Sequence, residues 1–141
     1  MPARKLAASL ARVYGAAAAA DTVLVDGAAV YRVHQGGVLL GYARVLDVKG
    51  KDQPITFLVA TDSGLVLKDV DILVYREPYG GEVAYEAWRR QFRGKAPDAP
   101  LEVGRDIRSI SGATISVNAV TAGVRRAVAD FAAWRREGKL P

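Results

Sequence analysis

Four short turns constrain this chain more than any other feature. Asp26-Gly27, Gln35-Gly36-Gly37, Lys49-Gly50-Lys51-Asp52 and Asp62-Ser63-Gly64 interrupt runs of β-branched and aromatic residues. The runs are roughly Val30–Val33, Val38–Val45, Ile55–Ala60 and Leu65–Tyr75. Connections this short cannot hold the crossover that parallel strands require, so successive strands must pair antiparallel. In the last run Val70, Ile72 and Val74 alternate with Asp69 and Asp71, as in a strand buried on one face. The pattern predicts a meander over residues 21–76 and excludes a βαβ nucleotide fold. No Gly-x-Gly-x-x-Gly or P-loop pattern is present either. Tyr31, Tyr42 and Phe57 read as core or cross-strand packing, and His34 as an exposed turn residue.

Helical patterns flank the strands. In residues 1–20, Leu6, Leu10, Val13 and Tyr14 share one helical face. Arg4 and Lys5 before an alanine-rich stretch resemble a secretory signal, but Arg12 interrupts the apolar segment such a signal needs. An amphipathic N-terminal helix is the reading, with no leader evident. Over residues 77–95, Pro78 stops the last strand and Gly80-Gly81 permits a tight turn. Glu82 then opens a central helix in which Tyr85, Trp88 and Phe92 share a face and Glu86 is placed to meet Arg90. Residues 96–105, rich in Pro, Gly and small side chains, form a connector. Over residues 117–138, Val117, Val120, Val124, Val128 and Phe131 recur at helical spacing, and Gly138 is the expected C-terminal stop. The expected class is α+β: one domain over residues 1–141, a twisted antiparallel meander packed with an N-terminal, a central and a long C-terminal helix.

Composition narrows the chemistry. The chain has no cysteine, which removes disulfides, thiolate metal sites and thiol nucleophiles. His34 is its one histidine, which argues against a histidine-based zinc site or a Ser-His-Asp triad. No run approaches the roughly twenty apolar residues of a membrane span. The formal charge is +5, but the basic residues are dispersed apart from the arginine pairs at 89–90, 125–126 and 135–136. Solvated helix faces account for them, and no nucleic-acid partner is expected.

The most informative stretch runs from Asp106 to Ser116. Ser111-Gly112-Ala113-Thr114 is a compact run of small residues with Ser109 and Ser116 on either side, directly before the C-terminal helix. A helix start leaves backbone N–H groups without intrahelical partners and its dipole favours an anion, so a phosphate is well received there. Gly112 and Ala113 let a ligand come close to the backbone. The same residues also fit an ordinary helix start, with Ser116 or Thr114 as N-cap. Asp106 reads as a brace accepting loop N–H bonds or as part of a recognition segment. Arg105 and Arg108 are placed to neutralise a phosphate or to be solvated, and Asn118 lies in the first helical turn.

Asp106, Ser109 and Ser111-Gly112-Ala113-Thr114 resemble the flavinylation motif of the FMN-binding domain family. That family includes the FMN-carrying subunits of sodium-translocating NADH:quinone oxidoreductase and of Rnf-type complexes. Glu77-Pro78-Tyr79-Gly80-Gly81-Glu82 and Gln91-Phe92-Arg93-Gly94-Lys95 are similar to two further recurrent segments, and the resemblance covers about residues 20–135. It implies that residues 96–116 form a flavinylation loop in which Asp106 helps present Thr114. A flavin transferase using FAD and Mg²⁺ would join FMN to the Thr114 hydroxyl by a phosphoester. It also implies that Tyr79, Gly80, Gly81 and Glu82 lie over the isoalloxazine ring, with Ser111, Gly112, Ala113 and Asn118 completing the cofactor site. Many relatives carry Thr-Pro-Gly where this chain has Pro-Tyr-Gly, so the part played by Tyr79 stays open. The function implied is electron relay by covalent FMN, with redox proteins or subunits of a membrane complex as partners, in an extracytoplasmic setting. No catalytic residue or metal site of the chain's own is expected. Alternatives are a non-covalent FMN-binding reductase or sensor, a basic binding module, and an assembly subunit whose Thr114 stays unmodified.

Overall fold

A computed structural model describes residues 3–141. Five strands, β1 (Ala19–Val25), β2 (Ala28–Gln35), β3 (Val38–Lys49), β4 (Pro54–Thr61) and β5 (Leu67–Val74), form one sheet in sequence order, antiparallel throughout. The meander expected from the turns is therefore present, and the α+β class holds. Helix α1 (Ala3–Tyr14) lies against β4 and β5 on one face of the sheet. The short α2 (Glu86–Arg89) and the long α3 (Thr114–Arg136) lie on the other.

Both faces of the sheet bury apolar side chains. On the α3 face Phe57, Val59 and Val70 meet Val117, Val120 and Val124, with Trp88, Phe92 and Ile107 filling the margin. On the α1 face Leu58, Ala60 and Leu73 meet Tyr14, Leu6 and Leu10. Every residue of β4 after Pro54 is buried, because it is covered from both sides. Gly123 is where α3 comes nearest the sheet: a Cβ there would stand 2.7 Å from Phe57 Cζ and 2.8 Å from Val48 Cγ1.

Several local expectations change. The helix expected over residues 1–20 ends at Tyr14, and Ala19 and Ala20 pair with His34 and Val33 as the start of β1. Alanine's helical preference over its neighbours is only a few tenths of a kcal/mol per residue, which sheet pairing outweighs. Met1 and Pro2, the start of that expected helix, lie outside the described residues. β5 is not solvated on one side as its alternation indicated. Asp71 is buried beneath α1, where it accepts from Ser9 Oγ at 2.6 Å and from the Arg12 guanidinium at 2.5 Å. A carboxylate is tolerated there because Ser9 and Arg12 come with the helix that covers it and Arg89 of α2 stands 3.8 Å from its other oxygen.

The single central helix opening at Glu82 is instead a 3₁₀ turn (Gly81–Ala84), α2, and a second 3₁₀ turn (Arg90–Phe92). Trp88 and Phe92 are buried edge to face, while Tyr85 sits outside the helix and is exposed. With the helix broken, Glu86 meets Arg93 at 2.9 Å in place of Arg90, and that guanidinium holds its carboxyl below the usual range. α3 begins at Thr114, three residues ahead of the expected 117, and its flanking residue is Ala113; neither Ser116 nor Thr114 is the cap. His34 lies within β2, half-exposed, with Nε2 at 3.5 Å from Asp21 Oδ1.

Candidate functional site

β5 delivers the chain to Tyr75, after which Pro78 prevents any continuation of the sheet and the turn 77–80 folds back toward α3. Gly80 takes φ +85 and is buried against the start of α3. A Cβ there would lie 2.5 Å from Tyr75 Oη and 2.7 Å from Ser116 Oγ, so only glycine suits both the backbone and the space. Tyr75 Oη donates to the Tyr79 carbonyl and lies 2.7 Å from Ser116 Oγ. A phenol has one proton, already given to that carbonyl, so Ser116 is the donor to Tyr75. Through these bonds the end of β5, the 77–80 turn and the first turn of α3 form one rigid junction.

That junction floors a cleft of about 380 Å³. Its walls are Gly112, Ala113, Thr114 and Ile115 on the α3 side, Glu77, Pro78, Tyr79 and Gly80 in the turn, and Lys51 and Asp52 at the β3–β4 hairpin tip. Gly112 enters α3 at φ +82, and Ala113, with no polar side chain, provides no cap bond. Among the described residues, no side chain bonds the first-turn N–H groups of α3, and they remain available to an anion. Thr114 is exposed at this point, with Tyr79 83% and Ile115 53% exposed. The cleft thus joins uncapped backbone donors and an exposed hydroxyl to two apolar surfaces.

Of the residues marked out from the sequence, Tyr79, Gly80, Gly112, Ala113 and Thr114 come together here. Gly81 and Glu82 follow in the adjoining 3₁₀ turn, and Ser111 and Asn118 are exposed; none of these four lines the cleft. Asp106, Arg105, Arg108 and Ser109 line a separate shallow depression with Gln91. There Asp106 braces the connector by accepting from the N–H groups of Glu102 at 2.8 Å and Leu101 at 3.0 Å, with Lys95 at 3.7 Å. Partial burial acts to raise its pKa, but the two N–H donors and Lys95 outweigh it and the carboxyl sits below the usual range. Arg105 faces Glu102 at 3.8 Å. Trp88 Nε1 donates to the Arg108 carbonyl, and Gln91 Oε1 accepts from the Arg108 N–H, both at 2.7 Å. The Gln91–Lys95 segment is therefore the clamp that holds the connector ahead of α3.

Lys51, Asp52, Tyr75, Ile115 and Ser116 line the cleft without having been marked as site residues, as do Glu77 and Pro78 despite their place in a family-like segment. Glu77 Oε1 accepts from the N–H groups of Asp52 at 2.6 Å and Gln53 at 2.7 Å, which hold its carboxyl below the usual range. Nothing in the sequence of the hairpin signals that contact.

Residues 50–129 match the FMN-binding domain family. The chain belongs to that family, and every residue lining the cleft falls inside the matched range. It is also similar to a subunit of the proton-translocating ferredoxin:NAD(+) oxidoreductase complex of Clostridium ljungdahlii, with 35% identity over 107 residues. That alignment takes in 70% of this chain and 57% of the relative, so the chain spans little more than half the relative's length. The cleft suits FMN: its volume falls in the range of roughly 300–1,000 Å³ usual for small-molecule sites, and it offers free N–H donors for a phosphate. Among the described residues, no group of His, Cys, Asp and Glu is arranged to hold a metal ion. No helix of the described residues is long and apolar enough to cross a membrane.

Proposed function

We propose that this domain is an electron carrier that holds FMN covalently, through a phosphoester to Thr114. One observation carries the reading: Thr114 opens α3 with its first-turn N–H groups uncapped, in the same cleft as the Tyr79-Gly80 turn. The phosphate would be received by those N–H groups and by the Gly112-Ala113 backbone. The ring would lie toward Tyr79 and Gly80, with Ile115 as a second apolar contact. When bound, FMN supplies the one- and two-electron chemistry, and the protein supplies position and electrostatics. Tyr75 and Ser116 serve by locking the turn to the helix, so that both ends of the cofactor are held by one rigid body. An open cleft leaves a ring edge reachable by redox partners, and a covalent tether retains the cofactor that such openness would otherwise lose.

Maturation then needs a flavin transferase using FAD and Mg²⁺. The Thr114 Oγ–phosphorus bond forms, the pyrophosphate bond of FAD breaks, AMP leaves, and the threonine proton passes to a base of the transferase. Asp106 and Ser111 belong to the loop the transferase would read, and Gly81, Glu82 and Asn118 follow the lining residues in the chain without lining the cleft. Redox proteins or subunits of a membrane complex are the proposed partners, by kinship with the clostridial complex component above. An extracytoplasmic position is part of the same proposal, carried by the resemblance of the Asp106–Thr114 segment to the flavinylation motif.

Co-expression with a flavin transferase, denaturation and intact-mass measurement test this directly. The parent chain is expected to keep a yellow colour and gain the mass of an FMN ester, while Thr114→Val folds but gains neither. FMN retained on a peptide of Thr114→Val would move the attachment to Ser111 or Ser116. Colour that washes out of the denatured parent chain would favour non-covalent binding in the same cleft.

A further inference from the structure

The tip of the β3–β4 hairpin is the outermost wall of the cleft, and one side chain holds it there. Lys51, Asp52 and Gln53 are all exposed. Gly50 N–H donates to the Gln53 carbonyl at 2.9 Å and closes the loop. The loop's remaining inward N–H groups, those of Asp52 and Gln53, both donate to Glu77 Oε1, at 2.6 and 2.7 Å. A Cβ at Gly50 would stand 3.4 Å from the same oxygen, so the hairpin backbone lies directly on the carboxylate. Glu77 in turn belongs to the 77–80 turn that Tyr75 ties to Ser116. A chain of contacts therefore runs from the α3 N-terminus through Ser116, Tyr75, the Tyr79 carbonyl and Glu77 to the hairpin. The hairpin stands at the end of that chain opposite the helix that would take the phosphate.

We propose that Glu77 is a positioning residue of the FMN cleft: its carboxylate pins the 50–53 hairpin, and so holds the charges of Lys51 and Asp52 at the cleft wall. The proposal rests on the reading of this cleft as the FMN site. Glu77 acts chiefly through backbone bonds: among the described residues it forms no ion pair within 4 Å, and the Lys51 charge adds a smaller attraction. Two backbone donors on one carboxylate oxygen are charge-assisted bonds, stronger than neutral ones and directional. Lys51 and Asp52 are the hairpin's own charged groups in the cleft lining, of opposite sign, and each acts on bound FMN only while the hairpin is held in place. Lys51 favours the more negative, reduced cofactor and Asp52 disfavours it.

The first arm of the test needs no cofactor. Amide hydrogen exchange on the apo domain is expected to show Asp52 and Gln53 protected in the parent. They should exchange about tenfold faster or more in Glu77→Ala, with Glu77→Gln between them because its amide oxygen still accepts both bonds. Equal exchange in parent and Glu77→Ala overturns the pin. The second arm uses the FMN-loaded domain. Lys51→Gln is expected to lower the reduction potential and Asp52→Asn to raise it. Each should change the oxidised-to-reduced ratio by about two- to fivefold at a fixed potential. In the Glu77→Ala background both shifts should shrink toward zero. Shifts of undiminished size there would show that the hairpin needs no pin and would overturn the proposal. If the chain takes no FMN at all, the exchange arm still decides the pin, so the failure of the two readings is told apart.

Discussion

At the scale of single residues, Tyr75 connects more of the site than any other side chain. Its hydroxyl accepts a hydrogen bond from Ser116 Oγ and donates one to the Tyr79 carbonyl. Tyr75→Phe is expected to lower stability by about 1–3 kcal/mol, because the buried Ser116 hydroxyl loses its partner and the turn loses its bond to the Tyr79 carbonyl. Urea unfolding measures that, and faster amide exchange confined to the 77–81 turn would locate the loss. Asp106 sets a pH limit on the connector ahead of α3. Its folded-state pKa lies below the ordinary 3.8. Its contribution to stability is therefore complete above that value and is lost as pH falls through the depressed one. In acid titration, stability should fall more steeply with decreasing pH in the parent than in Asp106→Asn. The two curves should converge once the carboxylate is protonated.

At the scale of elements, α3 matters both as core and as the base of the cleft. It approaches the sheet through Gly123, where a methyl group would meet Phe57 and Val48 inside van der Waals contact. Gly123→Ala gains helix propensity but forces the helix outward, and the overpacking cost of about 1–3 kcal/mol should dominate. The mark of that displacement would be lower thermal stability together with weaker FMN retention in the unflavinylated protein, since Thr114 and Ser116 move with the helix. α1 acts on the opposite face, where Ser9 and Arg12 satisfy the buried Asp71. It supplies two of the three polar partners of Asp71, Arg89 at 3.8 Å being the third, and lines no part of the cleft.

At the scale of the whole molecule, eight of the twenty Lys and Arg residues are paired with carboxylates among the described residues, Lys95 and Lys139 included. Arg12, Arg32, Arg44, Arg89, Arg93 and Arg105 each face a carboxylate within 4 Å. A formal charge of +5 spread in this way makes no phosphate-tracking stripe. The domain should therefore show no tight binding to duplex or single-stranded nucleic acid whose affinity falls steeply with added salt. Titration at two ionic strengths checks this, and a steep salt slope would count for the basic-module reading.

The sequence by itself determined the meander, because turn chemistry and strand alternation are local properties that short connections convert directly into antiparallel pairing. It also marked Tyr79-Gly80 and Gly112–Thr114, since glycines, prolines and small residues before an apolar helix carry their meaning within a few positions. Tertiary structure decided the rest. The first two residues of β1, Ala19 and Ala20, were hidden in alanines with little preference of their own, and they join the strand because β2 offers them an edge. The burial of Asp71 depends on a helix about sixty residues earlier in the chain. Tyr75 meets Ser116 across 41 positions, and Glu77 meets the hairpin across 24 and 25. Bonds of that range leave no periodicity to read. Their geometry is set only when the sheet brings the end of β5, the β3–β4 hairpin and the start of α3 to one corner, and that corner is the cleft.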